Sequence, residues 1–355
     1  MSKSIRISEI LNLINAPAFS VFEGNIDQCN DAAQRMLLTS GTPITSLLQQ
    51  NQTDYLEFKR GCLYTTIFHN GQLYSTSVVR VEDTNIFILD DESENMELGT
   101  LSLTAANLRQ PLASMIAATN NLTASLERNE DPRVRTQLRE MNRNLCRIHR
   151  MLCNMSDAVM YSNGSSSHMI CADVVSVVEE VFQKSQRVCN NCGIRLEYTV
   201  PNERILCVID EDLLERSVYN MISNAIKFSD EGSVVKAELT TRDQRIYISV
   251  QDQGTGIPPS VLNNIFKRYQ REPGIEEGRI GLGLGLVLVR SAAKIHKGLI
   301  LIDQPDQVGT RVTLSFPIRQ NSTAMLRSTI TRIDYASGWD HSLLELSDVL
   351  PSSLY

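Results

Sequence analysis

Two stretches of this chain leave little choice of structure. Over residues 98–122, Leu98, Leu101, Ala105, Leu108, Leu112, Met115, Thr119 and Leu122 step by three and four in strict alternation. The same spacing returns at Val134, Leu138, Met141, Leu145, Ile148, Leu152, Met155 and Val159. Such positions line up only on a helix, as a narrow apolar seam along one side. The spacing therefore predicts two long helices within 95–161. Between them, Asp131-Pro132 marks a break and a new start, because proline is tolerated in a first helical turn. One hairpin cannot enclose both of its own seams, whereas two copies can, as a four-helix bundle. A homodimer, or a heterodimer with a related chain, is expected. The alternative is a single helix pair packed on another domain of the same chain.

Residues 1–94 read as a small sheet domain. A strand is predicted over 18–24, a turn segment over 25–30, a short helix over 31–38, and strands over 63–68, 72–81 and 85–91. Asn70-Gly71 between two alternating runs is a strong hairpin signal. His69 beside it is expected to be solvated. The order of strand, turn and Asn-Asp-Ala-Ala helix resembles a small PAS-type sensor domain, with no recognisable flavin-reactive cysteine motif or haem ligand.

Beyond a turn-rich joint at 162–167, helical runs at 174–187 and 213–228 alternate with strand-like runs at 195–200, 205–210, 234–241, 245–252, 299–303 and 310–317. That pattern predicts an α/β sandwich over 168–319. The whole is thus an α+β multidomain chain. Residues 320–355 carry the only tryptophan, Trp339, and too many apolar residues for a linker. They are expected to dock on the body or on a partner.

A net charge of −7 argues against a general nucleic-acid binder. No apolar run is long enough for a membrane span and no signal peptide is evident, so a cytoplasmic location is expected. The eight cysteines follow no framework and read as reduced thiols. The lone Cys189-x-x-Cys192 lacks the second pair of a zinc site and reads as structural.

Three motifs carry chemistry. In NMISNAIKF (220–228), Asn220 and Asn224 share a helix face, with Lys227 one turn on. An amide oxygen is a hard neutral ligand suited to Mg²⁺, and a lysine beside it offers charge to a phosphate. Two asparagines alone would equally describe a polar surface. Asp252 follows a strand and precedes Gly254 and Gly256. Its carboxylate can accept from an exocyclic amine, and the glycines let the backbone approach a ligand, although the run alone also fits a plain turn. Gly281, Gly283 and Gly285 open a predicted helix, whose first N–H groups attract phosphate. No Gly-Lys-Ser/Thr follows, so this is not a Walker loop.

In this order and spacing the three motifs closely resemble the ATP-binding domain of sensor histidine kinases, within the group shared with gyrase, heat-shock chaperones and mismatch-repair ATPases. The resemblance implies ATP and Mg²⁺ as cofactors. Asn224 would hold Mg²⁺ with Asn220 nearby, Lys227 would face phosphate, and Asp252 would read the adenine amine beside Gly254 and Gly256. The glycines at 281, 283 and 285 would wrap the phosphates. Arg268, in IFKRYQR (265–271), is a candidate phosphate contact, and Thr310 after Gly309 would lie near adenine. A response regulator is the further partner implied.

The first helix also resembles the family's phosphoacceptor motif, commonly Ser-His-Glu-Leu-Arg-Thr-Pro-Leu. Here it reads Ala105-Ala106-Asn107-Leu108-Arg109-Gln110-Pro111-Leu112. A methyl group at Ala106 has no lone pair to accept a phosphoryl group, and Asn107 cannot act as a base near neutrality. No catalytic residue is therefore assigned on this chain. His149, on the second helix, is expected to be half-exposed and not an acceptor. His168, His296 and His341 match no acceptor motif, and His296 is expected to pack in the helix after the glycines. Hydrolysis is disfavoured, because the relatives' glutamate base is replaced by Asn220 and Glu215 lies too far along the helix. Three functions stay open: a degenerate kinase that binds Mg-ATP and regulates a two-component pathway, a kinase acting in trans on a partner's histidine, and a scaffold with a vestigial pocket.

Overall fold

The computed structural model describes residues 7–48, 51–90, 94–126, 131–162, 168–257, 285–305, 309–320 and 340–355. The N-terminal unit holds helices α1 (Ile7–Asn12), α2 (Asp31–Arg35), α3 (Ile44–Leu47) and α4 (Gln52–Glu57). Its strands are β1 (Ala18–Phe22), β2 (Asn25–Cys29), β3 (Cys62–His69), β4 (Gln72–Val81) and β5 (Thr84–Leu89). They run antiparallel in the order β2-β1-β5-β4-β3. Asn70 and Gly71 both take positive φ, 49° and 79°, as a two-residue hairpin turn of the favoured twist requires. The segment predicted as a turn at 25–30 is β2. Only Ile26 along it is buried, so its sequence offered almost no alternation. His69 is not solvated as expected: it is partly buried, with Nε2 2.7 Å from the Met36 carbonyl. The core stacks Phe19 on Phe87 at 4.9 Å, with Tyr55 5.5 Å from the same ring.

The two long helices form as predicted, α5 (Glu94–Leu126) and α6 (Pro132–Ser162). Asp131 Oδ1 accepts from the Arg133 amide at 2.9 Å and caps α6 ahead of its first-turn proline. α5 is continuous through Pro111. The seams divide into two sets. Ala105, Leu112, Leu145 and Leu152 are buried in the hairpin. Leu108, Met115, Leu122, Met141 and Ile148 are each 40–56 % exposed. Another face of α6, with Cys146, His149, Arg150 and Cys153, is buried. The burial of His149 corrects the half-exposed placement expected for it.

The C-terminal unit comprises β6 (Met169–Asp173), α7 (Val174–Asn191), β7 (Arg195–Thr199), β8 (Leu206–Asp210), α8 (Glu211–Phe228), β9 (Val234–Arg242), β10 (Arg245–Gln251), α9 (Gly285–Ile295), β11 (Leu299–Asp303) and β12 (Arg311–Pro317). β6 and β8 pair apart from the rest, and the others follow the order β11-β12-β10-β9-β7. All pairs are antiparallel except β7–β9. Alternate residues of β9 and β10, such as Val235, Leu239, Ile246 and Ile248, share one core with α7, α8 and α9.

The two sheets are one. β3 pairs with β11 through Tyr64–Ile300, Leu63–Leu301 and Cys62–Ile302, giving ten strands. Gly61, at φ 91°, permits the junction, since a Cβ there would strike the Ile302 carbonyl oxygen. Around it, Asp54 accepts from Tyr247 at 2.7 Å and pairs with Arg245 at 3.1 Å, while Arg60 donates to the Pro305 carbonyl at 2.7 Å. The tail also docks. α10 (His341–Glu345) and a 3₁₀ turn (Ser352–Leu354) pack on α6, α7 and α8, with Leu344, Leu346 and Leu350 fully buried. Among the described residues no helix is long and apolar enough to cross a membrane.

Candidate functional site

α8 is fixed at its start before it presents anything at its end. Asp210 caps it, with Oδ1 accepting from the Leu213 amide at 3.1 Å. The Asp210 amide donates to Nε2 of His296 at 3.0 Å, and His296 Nδ1 donates to the Ala292 carbonyl at 2.8 Å. The ring is therefore neutral, with its proton on Nδ1. Burial lowers its pKa to about 4. His296 thus packs as expected, and also ties α9 to the head of α8. Most of α8 is buried, and in its last two turns Asn224, Lys227 and Phe228 are the residues left partly open.

Beside that end lies the loop after β10. Asp252 Oδ1 accepts from the amides of Gly254 and Thr310, both at 2.9 Å, and the Asp252 amide donates to the Thr310 carbonyl at 2.9 Å. Burial pushes the Asp252 carboxyl above its ordinary range, and the two amides partly oppose the shift. A side chain at Gly254 would collide with the Phe228 carbonyl oxygen, and one at Gly309 with that of Asp252. Both glycines are thus close-approach positions. Gly256 takes φ 74° against the Gln304 amide. Asp252, Gly254, Thr310 and the end of α8 consequently form one wall, and among the described residues the bonds of the Asp252 carboxylate are made by Oδ1.

The first residue of α9, Gly285, stands over Asn220, where a Cβ would lie 2.9 Å from Oδ1. Asn220 is 2 % exposed. Its Nδ2 donates to the Arg216 carbonyl at 2.8 Å, and its Oδ1 accepts from Arg150 Nη2 at 3.0 Å. Asn220, Asn224, Lys227, Asp252, Gly254, Gly256, Gly285 and Thr310 therefore converge on the α8–α9–β10 corner. Arg268, Gly281 and Gly283 lie outside the described residues, and the side chain of Ala106 is likewise not described. Glu215 points elsewhere, with Oε1 3.1 Å from His341 Nδ1.

Residues 209–320 match the family described as histidine kinase-, DNA gyrase B-, and HSP90-like ATPase. The chain is 28 % identical over 262 residues to the adaptive-response sensory kinase SasA of Crocosphaera subtropica, covering 69 % of this chain and 67 % of that one. Its likeness to the sensor histidine kinase WalK of Bacillus subtilis is 24 % over 324 residues, covering 87 % and 52 %. Residues 209–320 thus carry an ATPase domain of the histidine kinase type, in a chain that is similar to sensor histidine kinases. It spans about two thirds of SasA's length and about half of WalK's. The solved structure of full-length ShkA in complex with AMPPNP aligns with a TM-score of 0.50 at 19 % identity, over 63 % of this chain and 46 % of that one, which speaks to the fold alone. The site has one feature that no sequence motif announces. Arg150 comes from the helical hairpin, 70 residues before its partner Asn220, and only the packing of α6 on α8 brings them together.

Proposed function

We propose that the chain binds Mg-ATP at this corner, dimerises through α5 and α6, and regulates a two-component pathway without phosphorylating itself. The residues fit the nucleotide. Gly254 and Gly309 keep the backbone close at the wall where the base would lie, and the other oxygen of Asp252 would accept from the adenine amine. The partly open Asn224 would offer its amide oxygen to Mg²⁺, and Lys227, one turn on, would face phosphate. Arg268, Gly281 and Gly283 complete the set by resemblance. ATP, when bound, supplies a phosphoryl group. The observation that carries the degenerate reading is Ala106 at the acceptor position of an otherwise retained Leu-Arg-x-Pro-Leu motif. Among the described residues, the two positions weighed for a base on water are both engaged, Glu215 with His341 and Asn220 with Arg150.

The N-terminal unit, a five-stranded antiparallel sheet with short helices, serves in this reading as the PAS-like sensor. The exposed set of seam residues, Leu108, Met115 and Leu122 with Met141 and Ile148, supports pairing with a second hairpin. A response regulator is the proposed downstream partner.

Incubation of the full chain with γ-labelled ATP tests the reading. Retained nucleotide with no acid-labile phosphohistidine is expected, and robust self-labelling would overturn it. Labelling of an added histidine-bearing partner hairpin, lost in Asn224→Ala, would favour the trans kinase instead.

A further inference from the structure

The last sixteen residues hold a group of buried charges that binding nucleotide does not need. Glu345 is fully buried, and its Oε1 accepts from Arg216 Nε on α8 at 2.8 Å. Its Oε2 lies 3.4 Å from Arg150 Nε on α6. Asp348 Oδ2 accepts from Arg150 Nη1 at 2.9 Å. Arg147, one turn earlier on α6, donates to the carbonyls of Ser347 and Asp348 at 3.0 and 3.1 Å. Arg216 is also bonded to Asp157 and, at 2.9 Å, to Asn154 on α6. Two carboxylates from the tail thus bridge one arginine of the hairpin and one of the ATP-domain helix. Burying the charges of Glu345, Arg150 and Arg216 is costly unless each is paired, so the tail either forms the whole clasp or leaves it. The clasp orients one guanidinium in particular, and the remaining nitrogen of Arg150 holds Asn220 Oδ1.

We infer that residues 340–355 form an autoinhibitory clasp that holds Arg150 on Asn220 and is released when Mg-nucleotide binds. This rests on the proposed nucleotide site. A Mg²⁺ ion on the face shared by Asn220 and Asn224 and the Arg150 guanidinium are both cations, and they repel at close range. The metal complex and the clasp therefore exclude one another. Loss of Arg150 from Asn220 undoes the geometry that pairs it with Glu345 and Asp348 and loosens α6 on α8, where the Arg216 bonds to Asn154 and Asp157 are left. A hairpin released in this way turns nucleotide occupancy into a change at the dimer surface.

The test uses the full chain with Mg-AMPPNP as probe. Calorimetric titration is compared for wild type, Arg150→Gln and Asp348→Asn, with amide exchange over 340–355 measured with and without nucleotide. Asp348 lies at the edge of the cluster, so its variant keeps the fold if Arg150→Gln does not. Expected are at least fivefold tighter binding in both variants and at least tenfold faster exchange of the tail in nucleotide-bound wild type. Unchanged affinity with a tail that stays protected overturns the clasp and leaves the nucleotide site standing. Weaker binding by Arg150→Gln alone overturns it by making Arg150 a phosphate ligand. No binding by any of the three proteins removes the site and the clasp together.

Discussion

At the scale of single residues, two buried groups decide what the corner can do. Asp252 spends one oxygen on the amides of Gly254 and Thr310, and in the proposed site the other accepts from the adenine amine. In Asp252→Asn, the amide oxygen takes over the two backbone donors and an NH₂ group faces the adenine amine, donor against donor. The expected result is a ten- to hundredfold loss of adenine-nucleotide affinity by titration, about 1.4–3 kcal/mol, with little change in folding. His296 gives a pH signature. Its folded pKa of about 4 lies below the ordinary imidazole value of 6.5, so the neutral ring favours the fold. Stability from this group is complete above the unfolded pKa and falls as pH drops from there toward 4. Urea unfolding should show a loss on the order of 2 kcal/mol between pH 7 and pH 5. That part of the slope should vanish in His296→Gln, and an unchanged slope would contradict the buried neutral ring. The motif residues were legible because each group sits within a few residues of its neighbours in the chain. Arg150 was not, because its significance lies in a contact made across 70 residues.

At the scale of elements, periodicity and caps explain most of what forms. α5 and α6 follow from a seam spacing that only a helix satisfies, and the hairpin of β3 and β4 follows from Asn70-Gly71. β2 escaped notice because one buried residue makes no alternation. The structure compensates with Asn30 directly after it. Asn30 Oδ1 accepts from the amides of Ala18 and Ala33 at 3.0 and 2.9 Å, and its Nδ2 donates to the carbonyls of Ile14 and Ala16 at 2.9 and 2.8 Å. One buried amide thus joins α2, β1 and the chain after α1. Asn30→Ala should lower stability by about 2–3 kcal/mol in thermal unfolding; a loss below about 0.5 kcal/mol would mean that the cap is solvated instead.

At the scale of the whole molecule, the chain is built to couple its parts. The N-terminal sheet continues into the ATPase-domain sheet through β3 and β11, and the tail bridges α6 to α8. The apolar content of the tail foretold docking but not its place, and the sheet junction was not foretold, since strand edges carry no mark of which other edge they meet. The one local trace is Gly61, whose positive φ and contact with the Ile302 carbonyl admit no side chain. Gly61→Ala should open the junction, raising amide exchange at Leu63 and Leu301 while β4 and β10 stay protected. Unaltered exchange at both would place the coupling elsewhere.

Regulation by nucleotide requires Asn224, Lys227 and Asp252 to form a magnesium-nucleotide site. The most direct measurement is calorimetric titration of the full chain with Mg-ATP, repeated with Asn224→Ala. Saturable binding of one nucleotide per chain, lost in the variant, is the predicted result. Absence of heat and of any thermal stabilisation at millimolar Mg-ATP would contradict it and leave a scaffold with a vestigial pocket.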